Sequence, residues 1–201
     1  FDTPPGNADD AALRAVKASN YFNQKFVYNA YLAVKQRDRF ARFLKLKLKD
    51  AFELVGDHWG THYGLTHTPR IWDMKVLHQR MREVPICLNL MKGNLETGLN
   101  IRHFEITAYG GFMLTYWTPE LSSCFEIGEE CDVFHDESEL LEKIHYYLEN
   151  SGKRRDIARA GQQRTLRDHL YSHRINSLVH ILQQNNALPV RTLTQPAPVT
   201  A

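Results

Sequence analysis

Short apolar runs separated by amphipathic stretches constrain this chain more than any other feature. Residues 51–56, 85–90, 112–115 and 132–134 each read as a short buried strand. Between and after them, apolar residues recur at helical spacing. Phe40, Phe43, Leu44 and Leu48 share one face over residues 37–48. Lys45 to Lys49 alternate at period two, but the longer window follows 3.6 and predicts helix. Ile101, Phe104 and Ala108 form a stripe that Gly110 and Gly111 close. Asp136 caps a further helix, with Glu139 completing a capping-box pattern and Leu140, Leu141, Ile144, Tyr147 and Leu148 on its apolar face. Helices are also predicted from Asp9, over residues 153–168, and over 171–184, where Tyr171, Ile175, Leu178, Val179 and Leu182 are the expected buried face.

Strands that alternate with helices at this rhythm imply a parallel sheet covered on both faces. The expected class is therefore α/β: a Rossmann-like parallel sheet with additional N- and C-terminal helices. Residues 1–50 read as an N-terminal helical segment and 51–186 as the Rossmann-like domain with its C-terminal helices. Residues 187–201, rich in Pro and Thr and poor in apolar side chains, read as a disordered tail or linker.

Composition excludes several classes. Hydrophobic residues make up 43%, enough to bury a core, yet no uncharged run approaches the ~20 apolar residues of a membrane span. Lys+Arg minus Asp+Glu is 25 − 23 = +2, too balanced for a dedicated nucleic-acid binder. Cys87, Cys124 and Cys131 cannot all pair within one chain and form no CxxC, which points to free thiols and a cytoplasmic, reducing location. The chain opens on Phe1 without a charged and apolar leader, and reads as a piece of a longer protein. Charge is unevenly spread. Residues 35–49 carry seven Lys/Arg against one Asp, 120–149 carry ten acids against Lys143, and 153–174 carry seven Lys/Arg against two Asp. Solvated helix faces account for such runs; a basic surface meeting an anionic ligand or lipid headgroups is the alternative.

In sheets of this kind ligands bind at the carboxyl ends of the strands, which directs attention to the residues after Gly56, Leu90 and Thr115. The segment after Leu90 is the most informative. A glycine-containing loop runs through Gly98, Leu99 and Asn100 into a helix amino terminus, where backbone N–H groups and the helix dipole attract phosphate. Arg102, in the first turn, adds a planar cation suited to a diphosphate. Glu105 lies one turn on, where a carboxylate can accept from two ribose hydroxyls. An ordinary i,i+3 surface pair is the alternative for these two residues. Neither GxGxxG nor GxxxxGK[ST] occurs, so NAD binding and ATP hydrolysis have no motif.

Leu54-Val-Gly-Asp-His-Trp59, Ile86-Cys-Leu-Asn89 and the run from Asn100 through Arg102, Phe104, Glu105, Gly110 and Gly111 to Thr115 follow one another in a characteristic order. Asp136-Glu-Ser-Glu-Leu140, Tyr146-Tyr-Leu148, Ile157-Ala-Arg-Ala-Gly161 and His169-Leu-Tyr171 continue it. Together these pieces, over roughly residues 36–182, resemble the C-terminal half of glycosyltransferases with two Rossmann domains (the GT-B type). They are most similar to the CgeB-like group. The resemblance implies one half of a GT-B fold that binds a nucleoside-diphosphate sugar, with Glu105 on the donor ribose and Arg102 on the diphosphate. Gly98, Leu99 and Asn100 would present helix-end amides, and the loop after Gly56 and residues 68–72 would lie near the base. The leaving charge would be held by the helix end and Arg102, with no cofactor and no metal.

Two departures matter. Where many retaining members carry a first glutamate, this chain has Thr97, with Glu96 one residue out of register. The N-terminal Rossmann half, which holds the acceptor and the general base of inverting enzymes, is missing, so no catalytic residue is assigned. The resemblance thus implies the donor half of a glycosyltransferase whose other half lies elsewhere in a longer chain. A second hypothesis keeps the half fold as a non-catalytic binding module, docking peripherally on a membrane through the basic helices.

Other constellations are weaker. His58, His62 and His67 have tempting spacing but sit in an irregular stretch without HExxH, so a metal is not expected. Cys124 and Cys131 read as core thiols in acidic surroundings. His103 points to a different helix face from Arg102, and Trp72 and Trp117 read as packing residues, with a sugar or base as the alternative.

Overall fold

In a computed structural model of the chain, the described residues are 24–57, 59–60, 64–90 and 98–185, with residues 24–33 described as backbone only. The predicted helix from Asp9 and the predicted tail lie outside them. The centre is a parallel sheet of β1 (Cys87–Asn89), β2 (Met113–Tyr116) and β3 (Asp132–Phe134), in that spatial order. Cys87 pairs with Met113, Asn89 with Thr115, and Thr115 with Val133. The fold is α/β with a Rossmann-like parallel sheet, as the alternation of apolar runs predicts.

The period of two along each strand divides the core. Leu114 and Phe134 point to one face, where they meet Phe40 and Leu44 of α1 (Gln24–Leu48). Leu140, Ile144 and Tyr147 of α4 (Glu137–Glu149) and Ile157 of α5 (Ser151–Asp168) complete that side. Cys87, Met113 and Val133 point to the other face, against Met81 of α2 (Met74–Glu83) and Ile106 of α3 (Ile101–Ala108).

Several expectations need correction. Residues 51–56 do not form a strand; Val55 makes a single parallel bridge to Thr68. Only Leu54 is buried there, because alternate residues turn outward and Glu53 bonds Thr68 and Arg80 at the surface. The inward face of α3 is His103, Ile106 and Thr107; Ile101 is exposed. Leu148 of α4 is likewise exposed. The last helix, α6 (Tyr171–Gln184), forms where predicted but buries none of its residues, and Tyr171, Ile175 and Leu178 face outward.

The helix ends follow their signals. Asp136 Oδ1 accepts from the Glu139 amide, but the returning Glu139 carboxylate takes the His135 amide, one residue ahead of the capping-box partner. Gly110, at φ +78°, ends α3: its amide donates to Thr107 O, and that of Gly111 to Ile106 O. The charge runs meet one another in space. Arg39 of the first basic run pairs with Glu137, and Arg164 of the second lies 3.8 Å from Glu130. Lys143 and Tyr147 both donate to the buried Asp132 at the start of β3. Among the described residues no helix is long and apolar enough to cross a membrane.

Candidate functional site

The carboxyl edge of the sheet and the amino end of α3 converge on Asn100. Strand parity places Asn89 and Thr115 on the α3 side, since Cys87 and Met113 lie there. Asn100, in extended conformation, caps α3: its Oδ1 accepts from the Arg102 amide at 3.0 Å. Asn89 Nδ2 approaches the same oxygen at 3.5 Å, which ties the cap to the end of β1. Ahead of it, Gly98 sits at φ +93° with open space around the position a β-carbon would occupy. This backbone conformation is one that glycine adopts without strain. Leu99 packs partly against the α3-side core and so holds the loop down.

The five residues singled out from the sequence therefore lie within two turns of one another. Arg102 Nη1 stands 2.8 Å from Glu105 Oε2. The approach lacks hydrogen-bond alignment, so the two charges face each other without a directed bond. The Arg102 side chain is about two-fifths exposed and that of Glu105 one-fifth, while the two facing atoms, Nη1 and Oε2, are themselves buried. The i,i+3 pair anticipated as an alternative does form; it also places a cation and an anion beside the same loop.

Beneath this surface lies a group the sequence reading passed over. His103 points away from Arg102, as expected, and is fully buried. Its Nδ1 lies 3.1 Å from both the carbonyl and the Oδ1 of Asn100, and its Nε2 lies 3.2 Å from the Thr115 hydroxyl. Thr115 Oγ1 also approaches Asn89 O at 3.1 Å. Burial pushes the His103 pKa below its ordinary value, opposed by the bond to Asn100. The signal was present: strand parity places Thr115 under α3, two residues beyond the buried Met113. Placing Ile101 on the inward stripe hid it, since the buried face is that of His103, Ile106 and Thr107.

The other segments behave differently. Gly56 N donates to Thr68 O and Arg70 N to Asp57 Oδ1, so the loop after Gly56 and residues 68–70 are joined to each other. Trp72 is not a packing residue: it is 74% exposed, with the Arg70 guanidinium 3.9 Å from its ring centre. Trp117 is also exposed and stacks on His135. His58, His62, Glu96 and Thr97 lie outside the described residues. Among those described, no group of three His, Cys, Asp or Glu is placed to hold a metal. Cys87 and Cys131 are buried thiols pushed up to about 12, Cys87 by burial and Cys131 by burial beside the Asp132 and Glu130 charges. Such thiols are poor nucleophiles.

The family described as glycosyl transferase-like matches residues 35–180, well over half of the chain. No curated protein matches it.

Proposed function

The chain belongs to the glycosyl transferase-like family, and we propose that within it this protein is the donor half of a GT-B, CgeB-like enzyme, holding a nucleoside-diphosphate sugar at the amino end of α3. The observation that carries the reading is the convergence on one loop of a glycine turn, a capped helix start, Arg102 and Glu105, at the carboxyl edge of a parallel sheet. The amides around Gly98, Leu99 and Asn100 and the guanidinium of Arg102 receive the diphosphate. Glu105 turns to the ribose hydroxyls.

In the transfer, the bond from the sugar to the diphosphate breaks as an acceptor hydroxyl attacks. The negative charge that develops on the leaving diphosphate falls on the helix end and Arg102, which lowers the barrier. No residue is assigned as the acceptor's base. The described residues hold one Rossmann-like sheet, and the acceptor side is a second domain supplied by a longer chain.

Thermal melting with uridine, guanosine, adenosine and thymidine diphosphates tests the reading, since a ligand bound only by the folded state raises the midpoint. One diphosphate should raise it in a concentration-dependent way. A midpoint indifferent to all four at millimolar concentration would remove the assignment.

A further inference from the structure

With a neutral His103 ring, two acceptors face one hydrogen, that of the Thr115 hydroxyl. Asn100 Oδ1 accepts from the Arg102 amide, which fixes that atom as oxygen, and the Asn100 carbonyl can only accept. Nδ1, facing both, must carry a proton. In a neutral imidazole Nε2 is then an acceptor. The single hydroxyl hydrogen of Thr115 is thus wanted twice, by Nε2 at 3.2 Å and by Asn89 O at 3.1 Å. A doubly protonated ring makes all of these contacts at once: Nδ1–H donates to Asn100, Nε2–H to Thr115 Oγ1, and Thr115 to Asn89 O. Burial and the positive end of α3 oppose that charge in the free protein.

An anion at the helix end reverses the electrostatics. We propose that His103 is the positioning residue of the donor site: it holds Asn100 through Nδ1 and takes up a proton on Nε2 when a diphosphate binds at the amino end of α3. This rests on the reading of that helix end as the diphosphate site. The atoms balance simply, since one proton passes from solvent to Nε2 and no bond other than N–H forms.

The elements packed on α3 carry further ionisable groups: Cys87 on β1, Tyr116 at the end of β2, His78 among the Lys, Arg and Glu residues of α2, and the basic run of α5 that includes Arg164. Arg102 and Glu105 lie on α3 itself. The contacts made by the ring nitrogens are to the non-ionisable Asn100 and Thr115. The bound phosphates are therefore the new charge that acts on His103.

Titration calorimetry of the whole chain at pH 6.5, in buffers of different ionisation enthalpy, counts protons taken up per ligand. The probes are the four nucleoside diphosphates and inorganic pyrophosphate. The ligand's own ionisation is removed by comparison with His103→Gln. Thr115→Val serves as the second variant, because it keeps the imidazole and removes the acceptor for Nε2–H. Wild type should take up a larger fraction of a proton than either variant, by on the order of half a proton. Heteronuclear NMR of the free protein should show the neutral Nδ1–H tautomer of His103, turning to imidazolium on saturation. Equal proton counts in wild type and both variants overturn the inference and leave the donor site standing. An Nε2–H tautomer in the free protein also overturns it. Absence of binding by every probe removes the donor-site reading, and the inference with it.

Discussion

Gly161 of α5 and Glu130 meet backbone to backbone: a β-carbon at position 161 would lie 2.2 Å from the Glu130 carbonyl oxygen. That carbonyl cannot retreat easily, because residues 126–131 form a turn closed by Glu130 N to Glu126 O and Gly128 N to Cys131 O. In a free helix interior Gly→Ala stabilises by about 1 kcal/mol. Here the sign reverses. Gly161→Ala should destabilise by about 1–3 kcal/mol, as overpacking does. Gly152→Ala, in the same helix with open space around it, should be neutral or stabilising. Urea unfolding of the two variants checks the pair of signs.

Thr107 and Thr165 join α3 to α5 through hydroxyls 2.7 Å apart, both buried. The Thr107 hydrogen is committed to His103 O at 2.8 Å, so Thr165 is the donor between them. Thr165→Val then loses one ordinary bond, at about 1 kcal/mol. Thr107→Val leaves the Thr165 hydroxyl buried without its acceptor and should cost more, about 1–3 kcal/mol. The double variant should cost less than the sum of the two. Equal single costs that add would contradict the assigned direction.

Cys87 and Cys131 keep their protons in the folded chain up to about 12, whereas unfolded thiols ionise near 9. Above pH 9 the unfolded state therefore binds fewer protons, and stability is lost as pH rises. The expected slope is at most ~1.4 kcal/mol per pH unit for each thiol. Denaturant midpoints at pH 8 and 10.5 should fall in the wild type and fall less in a Cys87→Ala, Cys131→Ala variant. Under native conditions a thiol reagent should modify Cys124, which is partly exposed, before the other two.

How much of this was legible follows from which forces acted locally. The three strands of the sheet and the helices at 101, 137, 153 and 171 announce themselves because buried parallel strands are continuously apolar and the helix caps are chemically distinct. Asp136 is read directly as a cap, and Gly98 to Asn100 as the opening of a helix. What escaped depends on distant partners. Residues 51–56 read as a strand, yet Val55 finds only a single bridge partner, Thr68, outside the three-stranded sheet. His103 became the inner face of α3 because Thr115, twelve residues on, offers its ring a partner. The apolar row on α6 reads as core by periodicity, yet periodicity says nothing about what lies opposite.

Arg102 and Glu105 carry the central claim, and one calorimetric comparison tests it most directly. The diphosphate that raises the melting midpoint, and its parent nucleoside, are titrated into wild type, Arg102→Ala and Glu105→Gln. Glu105→Gln loses a charge-assisted acceptor for the ribose and should weaken both ligands by similar factors, at about 1.5–3 kcal/mol. Arg102→Ala should weaken the diphosphate, flatten its salt dependence, and leave the nucleoside nearly unchanged. If the pair were only a surface ion pair, both variants would bind as wild type does and lose a few tenths of a kcal/mol of stability, ~0.3–0.5. Equal weakening of nucleoside and diphosphate by Arg102→Ala, or no effect of either substitution, would contradict the donor site.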